Sequence, residues 1–205
     1  MPPLSPTAWT LLAGVLGLLV GSFLNVVILR LPARMAAQWR NEARELLDAE
    51  AAPAAEPLPP GIVYEPSHCP HCGHRLGIRD NSPVLSWLLL RARCRYCRAP
   101  ISAQYPLVEL LCAVLSALVA WRYGPGLATV AGLVFTWMLI ALAGIDLRTQ
   151  LLPDAIVYPL LWLGLLLSLR PVFVEAPGAI LAAAIGYLSL WSCCPPWWVW
   201  RQAAC

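Results

Sequence analysis

From Trp9 to Leu29 the chain runs for 21 residues without a charge, most of them Leu, Val, Ala or Gly. About 20 such residues, at 1.5 Å each, span a ~30 Å hydrocarbon core. Further apolar runs follow at about Pro106–Trp121, Leu127–Ile145, Ala155–Leu169 and Ala179–Trp191, each bounded by Pro, Gly or charge. Lipid offers the backbone no hydrogen-bond partners, so spans of this kind fold as helices. The sequence therefore predicts an all-α polytopic membrane protein with about five transmembrane helices. Composition agrees: 60% of residues are hydrophobic and 12% charged, against about 45–50% and about 25% in soluble domains. The first run lacks a basic leader region and a small-residue cleavage site, which makes it an anchor rather than a removed signal peptide.

The net charge of +3 comes from arginine alone, because there is no lysine. It is too small to point to nucleic acid. Ten of the fourteen arginines, from Arg30 to Arg98, lie between the first and second runs. The positive-inside rule makes that loop cytoplasmic and puts the N-terminus on the other side. Counting spans forward brings the chain back to the cytoplasmic face near Asp146. The resulting division is a first transmembrane helix (1–30), a cytoplasmic loop (31–104), a transmembrane bundle (105–192) and a tail of altered composition (193–205). Within the loop, Met35–Glu50 mixes helix formers and charges and is expected to form a surface helix leaning on the membrane. Ala51–Pro60 reads as a linker, and residues 67–100 as a compact module.

That module carries Cys69-Pro-His-Cys72-Gly and Cys94-Arg-Tyr-Cys97, two C-x-x-C pairs separated by 21 residues. The separation slightly exceeds the ~15–20 residues usual for a tetrahedral zinc site. A two-residue gap in a tight turn can bring both sulfurs to one ion at ~2.3 Å, and Gly73 can supply the positive φ such a turn needs. Two disulfides or buried thiols are the competing readings; a reducing cytoplasm argues against disulfides. Cys69, Cys72, Cys94 and Cys97 are thus the expected zinc ligands, in a structural site whose metal supplies much of the folding energy. His71 and His74 are expected to be supporting or surface groups. Cys112, Cys193, Cys194 and Cys205 show no metal spacing.

Ionisable groups within or at the edge of apolar runs are costly and therefore candidates for function. Glu109 follows Pro106, where a carboxylate complements the helix dipole. Glu175 reads as a solvated loop residue. Asp146 ends the run Leu127–Ile145 and opens Asp146-Leu-Arg-Thr-Gln-Leu-Leu-Pro153-Asp154. Aspartic proteolysis needs two carboxyl groups ~3 Å apart. Asp154 lies ~12 Å away on a continuous helix, and Pro153 signals a helix restart. A structural reading of Asp146, paired with Arg148, stays open at this point. Gly14, Gly17 and Gly21, with Ser22 and Asn25, are expected to serve close helix packing.

Taken together, the chain resembles the bacterial type IV prepilin leader peptidases, bifunctional peptidase and N-methyltransferase enzymes. The resemblance rests on Gly21-Ser-Phe-Leu-Asn-Val-Val-Ile-Leu-Arg-Leu-Pro32, both cysteine pairs, Tyr105-Pro-Leu-Val-Glu-Leu110, the Asp146–Asp154 segment with Pro-Leu-Leu-Trp-Leu-Gly164, and Gly186-Tyr-Leu-Ser-Leu-Trp191. It covers about residues 12–192. It implies an inner-membrane aspartic protease with a periplasmic N-terminus. Such an enzyme cleaves prepilins or pseudopilins of type IV pili and type II secretion, then methylates the new N-terminus with S-adenosylmethionine. Asp146 matches the first catalytic aspartate, and the cysteine module matches the family's zinc-binding domain. No glycine-rich nucleotide loop marks a methyl-donor site. The family's second aspartate belongs to a Gly-x-Gly-Asp motif, and this sequence contains no Gly-Asp pair. Four of its ten tryptophans fall within Trp191–Trp200, beside Pro195-Pro196. That tail reads as frameshifted, by sequencing error or mutation, with a divergent terminus as the alternative; the chain as written is expected to be inactive. A second class of function is a non-enzymatic, zinc-containing membrane module of a pilus or secretion assembly. A transporter fits less well, because the carboxylates sit at span ends.

Overall fold

The computed structural model describes residues 5–46, 56–63, 65–77, 80, 82–170 and 172–193, with side chains as far as residue 189. The expected tail, 193–205, lies almost wholly outside the described residues. Six helices are present among them: α1 (Pro6–Leu46), α2 (Leu85–Leu89), α3 (Gln104–Tyr123), α4 (Leu127–Thr149), α5 (Asp154–Leu169) and α6 (Ala176–Cys193). No strand forms among the described residues; two isolated β-bridges, His68 with Arg75 and Arg93 with Pro100, close small hairpins. α1, α3 and α4 are long and apolar enough to cross a membrane, while α5 and α6 are shorter apolar helices.

Met1–Val157 forms one compact unit. Inside it, α1 buries Ala13, Gly17, Gly21, Leu24, Asn25, Ile28 and Pro32, a stripe recurring every three or four residues. α3 answers with its own small residues, Cys112, Ser116 and Ala120. A Cβ on Gly17 would lie 2.7 Å from the Cys112 carbonyl oxygen and 2.8 Å from Ala113 Cα. One on Gly21 would lie 2.8 Å from Glu109 Cα. The two backbones are therefore in contact, as small residues permit where lipid supplies no hydrophobic drive between helices. The core is completed by Leu24, Ile28, Val108, Ile140, Ala141 and Ile145, so α4 packs on the α1–α3 pair. Trp137 Nε1 donates to Ser116 Oγ at 2.9 Å, which satisfies two polar groups between α3 and α4.

Two local expectations change. The chain does not break after Arg30: α1 continues through the buried Pro32, and Met35–Leu46 forms its last turns rather than a separate surface helix. Helix formers on both sides carry the helix past the one backbone bond that Pro32 removes. Residues 47–50 of that expected helix lie outside the described residues. The second half of the expected linker is strapped along α1. Arg30 donates to the carbonyls of Gly61, Glu65 and Pro66, and Arg34 to that of Pro59. Asn41 exchanges hydrogen bonds with the Glu56 backbone at 3.0 Å each way.

The second unit, Tyr158–Cys205, holds most of α5 and all of α6.

Gly21→Ala should cost about 1–3 kcal/mol, because the added methyl meets backbone that cannot move aside. Gly14→Ala, whose Cβ would lie 3.6 Å from Ala117 Cβ, should be tolerated. Thermal unfolding in detergent compares the two; equal melting temperatures would contradict this packing.

Candidate functional site

Each cysteine pair sits in the same kind of reverse turn. The Cys69 N–H donates to the His74 carbonyl and the Gly73 N–H returns to the Cys69 carbonyl, both at 2.9 Å. Twenty-five residues on, the Cys94 N–H donates to Ala99 O at 2.8 Å and the Arg98 N–H to Cys94 O at 3.0 Å. Gly73 takes φ 68 and Arg98 takes φ 58, so both turns use a left-handed residue directly after the second cysteine. Glycine adopts that conformation freely, whereas an ordinary residue pays about 1–2 kcal/mol.

The two turns face each other and bring Cys69, Cys72, Cys94 and Cys97 together, with all four sulfurs within 4.8 Å of one another. Cys69 Sγ and Cys97 Sγ are 3.8 Å apart. A tetrahedron of sulfurs ~2.3 Å from an ion has edges of about 3.8 Å, whereas a disulfide needs ~2.05 Å. All four are free thiols, with Cys69 and Cys94 buried and Cys72 and Cys97 exposed. The cluster could hold a metal ion. The Cys72 and His71 backbone N–H groups point at Cys69 and lower its thiol to about 6. At Cys97 an opposing N–H near Ala99 is outweighed by burial and the three neighbouring sulfurs, which push the thiol up to about 11. The Cys69 thiolate therefore forms readily, and Cys97 resists joining it.

The histidines stand outside the sulfur cluster. His74 stacks on Tyr96, with ring centroids 3.5 Å apart, joining the first turn to the second. Arg95 Nε pairs with Asp80 at 2.7 Å.

Glu109 does more than complement a helix dipole. It is buried, and its Oε2 accepts the Val84 N–H at 2.7 Å. The module is thereby tied to a membrane helix across 25 residues of sequence. Asn25, also buried, donates from Nδ2 to the carbonyls of Gly21 and Tyr105, while its Oδ1 is buried without a partner among the described residues. Both side chains line a cavity of about 440 Å³, together with Ser22, Trp87, Tyr105 and Cys69.

Asp146 stands apart from this cavity, half-buried near the C-terminal end of α4. Its carbonyl accepts the N–H of Gln150, whose left-handed backbone (φ 54) ends the helix. Arg148 does not pair with it; the guanidinium donates to Gln104 Oε1 at 2.5 Å instead. Asp154 opens α5 after the buried Pro153, as a first-turn residue of a new helix.

Residues 15–123 match the bacterial peptidase A24 N-terminal domain, and residues 133–202 match the type IV leader peptidase family. A prepilin leader peptidase/N-methyltransferase of Xanthomonas campestris pv. campestris is 52% identical over 91% of this chain and 63% of its own length. Proteins of the same name from Stutzerimonas stutzeri and Pseudomonas putida are 48% and 50% identical over 92% of this chain, covering 64% and 65% of their own lengths. The chain thus spans less than two thirds of the curated relatives it matches. No solved structure matches it.

Proposed function

This chain belongs to the type IV leader peptidase family, and on that premise we propose that it is built for aspartic proteolysis of prepilins or pseudopilins at the inner membrane. Its N-terminus would be periplasmic and the loop after α1 cytoplasmic. Among its own residues, Asp146 carries the reading. A carboxyl half-buried at the end of an apolar helix lies where membrane and cytoplasm meet, the depth at which a membrane-anchored substrate would present its junction. In the reaction one carboxyl group of a pair activates water while the other, protonated, polarises the scissile carbonyl. Asp146 would fill one of these roles. A second carboxyl group is needed beside it, and Asp146 without one should not cleave. A chimera carrying the Gly-x-Gly-Asp segment of a relative should process a prepilin, and Asp146→Asn in that chimera should lower the rate at least ~10³-fold. Undiminished processing would remove Asp146 from the mechanism. Steady cleavage by this chain alone would show that its second carboxyl group lies elsewhere.

The four-sulfur cluster fits zinc. Its donors are soft thiolates, their spacing matches a tetrahedron, and four protein ligands leave no open position for water. When bound, zinc supplies folding energy to the module and no step of proteolysis. The purified chain should carry about one zinc, and Cys94→Ser should remove most of it. Because protons compete for thiolates, zinc should be held at neutral pH and released as pH falls, steeply below about 6 where even Cys69 is protonated. Metal content independent of pH, or unaffected by Cys94→Ser, would contradict the site.

S-adenosylmethionine, the methyl donor, fits the cavity beside Glu109. The unpartnered Asn25 oxygen and the buried Glu109 carboxylate accept hydrogen bonds or face positive charge, and about 440 Å³ lies within the ~300–1,000 Å³ of small-molecule sites. Asn25, Glu109 and Trp87 would hold it; when bound it supplies the methyl group. Calorimetry should detect its binding to the purified chain, weakened ~10-fold or more by Asn25→Leu; equal affinities would place the donor elsewhere.

The four-sulfur cluster and its tie to α3 through Glu109 also support a second reading, a non-enzymatic zinc-containing membrane module of a pilus or secretion assembly. Cleavage by the chimera, and its loss in Asp146→Asn, separates the two.

A further inference from the structure

α2 is an apolar helix with an uncovered face. Leu85, Leu88 and Leu89 are 61%, 58% and 82% exposed, although such side chains ordinarily seek burial at about 1.5–3 kcal/mol each. A basic run follows directly. Arg91, Arg93 and Arg98 are exposed, and none of them forms an ion pair among the described residues, whereas Arg95 is neutralised by Asp80. Leucines on one side and free guanidiniums beside them make a surface of two chemistries.

Two bonds fix where that surface lies. The Val84 N–H reaches Glu109 Oε2 at 2.7 Å, and Trp87 Nε1 donates to the Ile101 carbonyl at 3.3 Å. Glu109 is the sixth residue of α3, about 7.5 Å along its axis from the start. α3 is a candidate membrane span, so its first turns occupy the boundary between headgroups and acyl chains. α2 is held against those turns. At its far end, the Ala92 N–H bonds back to the Trp87 carbonyl at 2.8 Å, and left-handed residues Arg91 (φ 50) and Ala92 (φ 59) reverse the chain toward Ile101. The arginines therefore stay beside the leucines instead of being carried away from them.

We propose that the α2 face is a lipid-docking surface: Leu85, Leu88 and Leu89 enter the headgroup–acyl boundary while Arg91, Arg93 and Arg98 bind anionic phospholipid headgroups. Amphipathic elements bind an interface in this way, by apolar insertion together with attraction to anionic lipid. Each arginine near such a surface strengthens the contact about fivefold. The module is thereby pressed flat onto the bilayer, and its cavity is held at the membrane surface. The inference depends on α3 spanning the membrane and is independent of the proteolytic reading.

Hydrogen–deuterium exchange on the full chain in nanodiscs tests it, comparing phosphatidylcholine alone with a mixture containing roughly a quarter phosphatidylglycerol. Backbone amides of residues 85–93 should exchange about tenfold more slowly in the anionic discs. R91Q/R93Q should bring that rate back to the phosphatidylcholine value, and L88S/L89S should raise exchange in both lipids. Exchange in α3 reports that each variant is folded; should L88S/L89S fail to fold, the charge variant decides alone. Equal exchange of the wild-type segment in the two lipids would overturn the proposal. So would protection that survives R91Q/R93Q, which would assign the face to a protein partner or a second copy of the chain.

Discussion

The module between α1 and α3 depends on four cysteine sulfurs held within 4.8 Å of one another. Among the described residues the main apolar core is built from α1, α3 and α4, and the buried hydrophobic side chains that the module contributes are Cys69 and Cys94. A segment of some thirty residues with two isolated bridges and a five-residue helix has little else to order it. Conformational entropy costs about 1–2 kcal/mol per residue, so crowded thiols alone would not hold the turns together. A bound metal would. Against the Ala99 N–H, burial and the neighbouring sulfurs push the Cys97 thiol up; a divalent cation that neutralises the group relieves that crowding.

A module held by metal still has to be placed, and the membrane helices do that. Backbone contact at Gly17 and Gly21 aligns α1 with α3, which sets Asn25 against Tyr105 and leaves Glu109 free to reach Val84. Each buried polar group carries one of these connections, and burying it unpaired would cost several kcal/mol in an apolar surrounding. Arg30 and Arg34 act likewise on the other side, gathering the carbonyls of residues 59–66 along α1. The arginines that charge this loop thus also organise it.

What could be read from sequence was local. Apolar runs marked α1, α3 and α4, paired C-x-x-C motifs marked the sulfur cluster, Gly73 announced one left-handed turn, and Pro153 announced the restart at α5. The rest had no local signal. Arg98 adopts the same left-handed turn as Gly73 but carries a side chain that hides it. The apolar run ends at Leu29, yet flanking helix formers carry α1 on through Pro32. Glu109 looks like a dipole complement because its partner, Val84, is distant in sequence. Arg148 and Asp146 look like natural partners two residues apart, but Gln104, 44 residues away, takes the guanidinium. Asp146 itself is legible as a costly carboxylate at the end of an apolar run.

X-ray absorption spectroscopy at the zinc edge of the purified chain tests the central claim most directly. Four sulfur scatterers at ~2.3 Å are predicted, with no light-atom ligand. A shell containing nitrogen or oxygen at ~2.0–2.1 Å, or a chain that takes up no zinc, would contradict it.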